Sequence, residues 1–199
     1  MNAEQARASP SGQSEATPRG PAVIVLIGLP GAGKSQIAHA LERELGMHRI
    51  CRDSIRRAMF PSCEHSPAEK RAANNAAMRA LEVNCAMGRD SVLDGRTFSR
   101  LAERIEVEQK VGQWGASTHA VYLDCPPELA KQRIAEQSEH PAEDRSAELV
   151  DVVASRFEPP GVGCVVVDGR RSLADMTGYA VRAIRDLLVF GELTDGRAD

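Results

Sequence analysis

Lys34 and Ser35 close the run Gly28-Leu29-Pro30-Gly31-Ala32-Gly33-Lys34-Ser35. The spacing G-x-x-x-x-G-K-[ST] is that of a phosphate loop. Glycines let the backbone turn tightly and approach an anion with no Cβ in the way. Successive backbone N–H groups then form an anion-binding concavity at a helix N-terminus. The Lys34 ammonium reaches β- and γ-phosphates in such a loop, and the Ser35 hydroxyl reaches Mg²⁺. The bland alternative is a glycine-rich turn that binds nothing. The flanks oppose it: the apolar run Ala22–Ile27 precedes the loop, and Ile37, Leu41 and Leu45 follow at helical spacing. Strand, loop and helix are the context the motif requires, so a nucleoside triphosphate, ATP with Mg²⁺, is expected here.

Four more carboxylates follow predicted strands: Asp53, Asp94, Asp124 and Asp168. In an open parallel sheet, ligands bind beyond the carboxyl ends of the strands. Asp53 stands where a phosphate acceptor would enter and can take the proton of an attacking hydroxyl. Arg56, three residues on, shares its helix face and can hold an anionic group on the acceptor. The competing reading makes Asp53 or Ser54 a helix cap and Arg56 a solvated side chain. Asp94 ends an apolar strand expected beside the first, the position where a carboxylate holds Mg²⁺. It can instead orient Asp53 or the acceptor, and Asp94-Gly95 is also turn chemistry. Arg96 and Thr97 follow at the mouth of the cleft, with Thr97 a candidate cap for the next helix. Asp124 and Asp168 read as a strand-end or cap carboxylate and a turn residue. Arg133 and Arg145 are candidates to close on the transferred phosphoryl group and on ATP, where a cation neutralises developing charge. The five histidines have no metal-ligand spacing, and Trp114 is alone, so no aromatic ladder offers to stack bases.

The elements that must position these groups follow from period and punctuation. Strands are expected at Val23–Ile27, His48–Cys51, Ser91–Asp94, Ala120–Asp124 and Cys164–Val167. Helices are expected at about 33–45, after Asp53, at about 68–87 with Ala76, Ala80, Val83 and Met87 on one face, and at about 100–111 with Leu101, Ile105 and Val111 inward. Others start at Pro126-Pro127 and cover about 147–156 and 173–190, the last aligning Met176, Ala180, Ile184 and Leu188. Alternating strands and helices imply an α/β fold, a parallel sheet covered on both faces. The acceptor pocket would be built from the Asp53 helix, the 62–67 loop and the long Ala-rich helix.

The chain has 199 residues, 42% hydrophobic and 27% charged, with a formal net charge of −3. That suits one domain with a sizeable core and gives no global basic field for a polynucleotide. Residues 1–20 are rich in Ala, Ser, Pro, Gly and Gln, a composition expected to stay disordered. The domain is then expected over 21–191, with a lid at about 128–146 and a frayed tail over 192–199. Scattered cysteines without C-x-x-C spacing fit reduced thiols in a cytoplasmic protein, and no apolar run reaches membrane-spanning length.

Together the phosphate loop, Arg52-Asp53-x-x-Arg56, Val92-Leu93-Asp94, Val121-Tyr122-Leu123-Asp124-Cys125-Pro126 and Arg156-Phe157-Glu158-Pro159-Pro160 resemble one group. It is the small P-loop kinases grouped with AAA-type ATPases and related to polynucleotide kinase, zeta toxins, gluconate kinases and adenylylsulfate kinases. The resemblance covers about 23–168. It implies a three-layer P-loop NTPase fold with a five-stranded parallel sheet in the order 2-3-1-4-5. It also implies Asp53 as general base, Arg56 as the acceptor-phosphate contact and Arg133 as the lid arginine. Where the lid pattern carries a second arginine, Glu136 and Gln137 stand, and Arg145 is the substitute. The leading expectation is transfer of the γ-phosphoryl of ATP to a hydroxyl of a small molecule (metabolite, sugar, nucleoside or antibiotic) by a monomer or homodimer. The alternatives are a nucleic-acid 5′-hydroxyl kinase, a toxin-like sugar-nucleotide kinase and a non-catalytic nucleotide-binding regulator.

Overall fold

The computed structural model describes residues 19–136 and 146–190. Five parallel strands, β1 (Ala22–Ile27), β2 (His48–Cys51), β3 (Ser91–Asp94), β4 (Ser117–Asp124) and β5 (Val165–Asp168), form one sheet in the order β2-β3-β1-β4-β5. The helices are α1 (Lys34–Leu45), α2 (Arg52–Met59), α3 (Pro67–Ala86), α4 (Leu101–Gln113), α5 (Pro127–Glu136), α6 (Ala147–Ala154) and α7 (Leu173–Phe190). This is the P-loop NTPase fold expected. β1 lies between β3 and β4, with Ile24 opposite Val92 and His119. Strand order reverses at that point, which opens a crevice at the carboxyl end of β1.

β1 is buried at all six positions because both its faces are covered. Its side chains alternate between two cores. Ile24 and Leu26 pack with Ile37 and Leu41 of α1 and Met176, Ala180 and Ile184 of α7. Val23, Val25 and Ile27 pack with Leu81 of α3 and with Val107 and Val111 of α4. Leu45 and Leu188 are partly buried at the edge of the first core. No helix among the described residues is long and apolar enough to cross a membrane.

Two helices turn a different face inward from the one expected. In α3 the buried residues are Ala73, Ala77, Leu81 and Cys85, whereas Val83 and Met87 are exposed. Alanine lies all round this helix, so period alone selects no face; Leu81 does, fully buried in the core with Met78 packed partly buried against it. Arg79 and Glu82 pair at 2.7 Å along the helix. In α4 Val107 and Val111 are buried while Leu101 and Ile105 are exposed. Polar contacts at the start of α4 set this rotation: Glu103 pairs with Arg96 at 3.2 Å, and Arg104 donates to the Phe98 carbonyl at 2.9 Å. Residues 103, 107 and 111 then share the inward face.

The expected caps also differ. α2 begins at Arg52, so Asp53 and Ser54 lie within its first turn rather than at the cap, and Cys51 at its N-cap makes no side-chain cap bond. Thr97 is not the cap of α4, which starts at Leu101. α3 instead carries a full capping box, Ser66 with Glu69. The expected tail over 1–20 falls outside the described residues except for Arg19 and Gly20, and Arg19 pairs with Asp90 at 2.6 Å. Residues 137–145 of the expected lid, with Arg145, and the tail from 192 also lie outside them.

Candidate active site

The phosphate loop is drawn tight between β1 and α1. Gly31 and Gly33 have φ of +81° and +103°, and a Cβ on Gly31 would meet the Ala130 carbonyl oxygen at 2.3 Å. Only glycine fits that approach of loop to α5. Lys34 is buried, and its ammonium donates to the carbonyls of Gly28 at 2.9 Å and Leu29 at 2.7 Å. The lysine thus bridges the loop's own backbone at the entrance to α1. The loop is also tied to the segment after β3, because the Gly28 N–H donates to the Thr97 carbonyl at 3.1 Å.

Asp94 is the hub beside it. Its Oδ1 accepts from the Ser35 hydroxyl at 3.0 Å and from the Gly95 N–H at 2.8 Å, and its Oδ2 accepts from Arg49 at 3.0 Å. Ser35 Oγ and an Asp94 oxygen are two adjacent hard donors. That set suits Mg²⁺, which takes few protein ligands and fills its shell with phosphate and water. Among the described residues no cluster of three or more His, Cys, Asp or Glu side chains offers a protein-only metal cage.

Asp53 is brought alongside by Gly95. At φ +82° a Cβ there would lie 2.8 Å from the Asp53 nitrogen and 3.0 Å from that of Arg52. The absence of a side chain lets the first turn of α2 rest on the end of β3. Asp53 is buried. Its Oδ1 accepts from Arg52 at 2.7 Å and lies 3.7 Å from Arg56. Among the described residues its Oδ2 accepts no hydrogen bond. Arg56 is only 1% exposed.

A cavity of about 440 Å³ joins these groups. Lys34, Ser35, Asp53, Asp94 and Arg96 line it. Arg56 and Arg133 do not, nor does any residue of the 62–67 loop that the sequence suggested as a wall. The wall comes instead from α3, through Lys70 and Asn74, and from the segments around Arg100 and Arg156. Among the described residues six cations (Lys34, Arg52, Lys70, Arg96, Arg100, Arg156) face three carboxylates (Asp53, Asp94, Glu103) there. The cavity is thus net positive by three in a chain of net charge −3. Such a cleft concentrates anions.

Lys70, Asn74 and Arg100 were not singled out from sequence, and Arg52 and Arg156 entered only as members of the motifs Arg52-Asp53-x-x-Arg56 and Arg156-Phe157-Glu158-Pro159-Pro160. The i, i+4 spacing of Lys70 and Asn74 was the available signal, and it became readable only once the true face of α3 was known. Asn74 Oδ1 is buried with no hydrogen-bond partner among the described residues. Phe98, one residue before Ser99, is buried in a left-handed conformation at φ +47°, rare for a bulky residue, and Arg96 stacks over its ring at 4.7 Å.

Arg133 is engaged elsewhere. It donates to the carbonyl of Gly169 at 2.8 Å, with Ala32 and Arg171 carbonyls at 3.4 Å, and so joins α5, the phosphate loop and the β5–α7 turn. Burial pushes the nearby Cys125 thiol above its ordinary value against the charges of Arg133 and Lys34, so this thiol stays protonated. Asp124 and Asp168 are exposed strand-end residues. Asp168 accepts from the Arg170 N–H at 3.0 Å, the turn expected of it.

Residues 23–160 match a protein family described as AAA domain. A curated relative, the cytidylate kinase of Ignicoccus hospitalis, is 30% identical over 116 residues, 57% of this chain and 63% of that protein. The chain therefore spans less than two thirds of that relative's length. Among solved structures, a gluconokinase from Sinorhizobium meliloti 1021 superposes with a TM-score of 0.61 at 19% identity, over 87% of this chain and 97% of that one. The APS kinase of Mycobacterium tuberculosis, in complex with AMPPNP and APS, superposes with a TM-score of 0.63 at 18% identity, over 87% and 99%. The last two likenesses are of fold.

Proposed function

The chain belongs to the AAA domain family, and from that premise we propose that it is an ATP-dependent phosphotransferase acting on a hydroxyl of a small molecule. The observation that carries this reading is one cavity lined by both the phosphate loop and Asp53, whose Oδ2 accepts no hydrogen bond among the described residues. A nucleotide switch without chemistry would have no use for a buried carboxylate facing its phosphate site. The relatives support the class: their names all denote kinases and differ in the acceptor.

The division of labour follows from position. The N–H groups of Gly31 to Ser35 cradle the phosphates of ATP, and the Lys34 ammonium turns from its carbonyls to the β- and γ-oxygens. Ser35 and Asp94 would hold Mg²⁺, which would supply charge neutralisation at those phosphates. Asp53 Oδ2 receives the acceptor hydroxyl as a hydrogen bond and takes its proton as transfer proceeds. The acceptor oxygen bonds to the γ-phosphorus. The bond from that phosphorus to the β,γ-bridging oxygen breaks, and ADP leaves with the electron pair. Arg52 and Arg56 fix the carboxylate, and Arg56 is therefore a positioning residue rather than a substrate contact. Arg133 keeps the phosphate loop and the β5–α7 turn in register. Asn74 Oδ1 offers a buried acceptor for an O–H or N–H of the bound molecule.

Asp53→Asn tests the reading directly. The asparagine keeps the shape and loses the base. Transfer to any acceptor is expected to fall by at least about 10²-fold, with ATP binding by calorimetry nearly unchanged. Transfer at the wild-type rate would remove Asp53 from the chemistry.

A further inference from the structure

The stretch Arg156-Phe157-Glu158-Pro159-Pro160 takes no part in the chemistry assigned above, yet it is tied firmly to the wall of the cavity. The Glu158 N–H donates to the Ser99 carbonyl at 2.8 Å. Its carboxylate accepts from the Leu101 N–H at the start of α4. The Phe157 ring stacks on Tyr122 of β4, with centroids 5.7 Å apart. Together these contacts set residue 156 against the segment that follows β3. Their consequence is that Arg100 and Arg156, distant in sequence, both line the cavity.

The two arginines differ from the other guanidinium groups there. Arg52 is paired with Asp53, and Arg96 with Glu103. Among the described residues neither Arg100 nor Arg156 has a carboxylate within ion-pair distance. Two like charges lining one cavity that already has a cationic excess gain most from an oxyanion bound there. The planar guanidinium is the group best matched to one. The phosphates of the donor have their own ligands in the loop amides, Lys34 and the Ser35–Asp94 pair.

We propose that Arg100 and Arg156 grip an anionic group carried by the phosphoryl acceptor. On this assignment the acceptor is a small hydroxyl compound that already bears a phosphate, sulfate or carboxylate. Its hydroxyl meets Asp53 and its anion meets the two arginines. The Glu158 stitch then acts as a specificity device, because it sets where the second arginine stands. The proposal rests on the kinase reading of the cavity.

The test uses the full chain with γ-labelled ATP and Mg²⁺. A metabolite extract is freed of macromolecules by ultrafiltration and split on an anion-exchange resin into retained and unretained small molecules. Each fraction, and the nucleic acid held back by the filter, is offered separately. Label is expected to enter compounds from the retained small-molecule fraction. Arg100→Gln and Arg156→Gln, both at exposed positions, are each expected to raise the amount of that fraction needed for half-maximal rate about tenfold, with KM for ATP unchanged. Label from the unretained fraction, or from nucleic acid, would overturn the anion clamp while leaving the kinase reading intact. A raised KM for ATP in Arg156→Gln with no change for the acceptor would assign the arginine to the donor and overturn it too. Label from no fraction would overturn the kinase reading, and the clamp with it.

Discussion

The two halves of the cavity are built in different materials. The donor half is backbone: loop N–H groups, two carbonyls that hold Lys34, and glycines at positive φ that no side chain could replace. The acceptor half is side chains joined by charge: Arg52 on Asp53, and Arg96 on Glu103 and over Phe98. Backbone geometry is specified by a short unbroken run, because consecutive residues must adopt consecutive conformations. A charged wall can be assembled from segments far apart in the chain. The first kind of site tolerates almost no substitution and reads one ligand class. The second can change its ligand by changing single side chains while the sheet beneath stays the same.

The largest effect should come from the donor half. Lys34→Ala removes the one cation within the loop itself and is expected to lower kcat by about 10³-fold. ATP affinity should weaken as well, read by calorimetry, while binding of an acceptor in the absence of ATP should hold. If acceptor binding collapsed instead, the two halves would not be separable in the way described.

Gly95 is the joint between them. Gly95→Ala places a Cβ 2.8 Å from the Asp53 nitrogen at φ +82°. Backbone atoms cannot yield as a side-chain tip can, so α2 must shift and carry Asp53 with it. The expected cost is about 1–3 kcal/mol of stability, with a fall in transfer much larger than any change in ATP affinity. Gly88→Ala is the control. It too has positive φ, +68°, but nothing lies within 4 Å of its added Cβ. It should lose only the conformational part, about 1 kcal/mol, and keep full activity. Equal losses of activity in the two variants would show that contact with Asp53 is not what Gly95 protects.

The same contrast explains what could be read from the sequence. β1, the phosphate loop and α1 were legible because run, glycines and helix are contiguous. Asp53 and Asp94 were legible from their strand ends. The acceptor wall was not. The face that α3 presents is decided by Leu81 docking on the sheet, which an alanine-rich period does not reveal. The rotation of α4 is decided by Glu103 and Arg104, which bond residues on the preceding segment. Arg156 enters the cavity only because Glu158 is stitched to Ser99 and Leu101, a long-range contact with no local pattern. For Arg56 the spacing from Asp53 gives proximity, 3.7 Å in the structure, but not which of the two lines the cavity.

A third region, at the other end of the sheet, shows what the comparison should not touch. There Arg19, Asp90 and His119 lie at the starts of β1, β3 and β4. Burial holds the His119 imidazole below its ordinary value of 6.5, the Arg19 charge adds to this, and Asp90 opposes it. Between 6.5 and that lower folded value the unfolded chain binds the proton more readily than the folded one. The stability that neutral His119 contributes is therefore fully present above 6.5 and is lost as pH falls through this window. Asp90 adds a second loss in the same direction, but only below its ordinary value of 3.8: burial raises it, and the hydrogen bonds from Arg19 and the Ala22 N–H more than offset that. The two windows are separable. Denaturant titrations of His119→Gln should lack the slope below 6.5 and keep the one below 3.8. This is the smallest effect expected, and it should appear in stability alone, with ATP KM and acceptor KM unmoved. If His119→Gln shifted either KM at constant pH, charge at the base of the sheet would be coupled to the site, and donor and acceptor halves would have to be treated as one electrostatic unit with it.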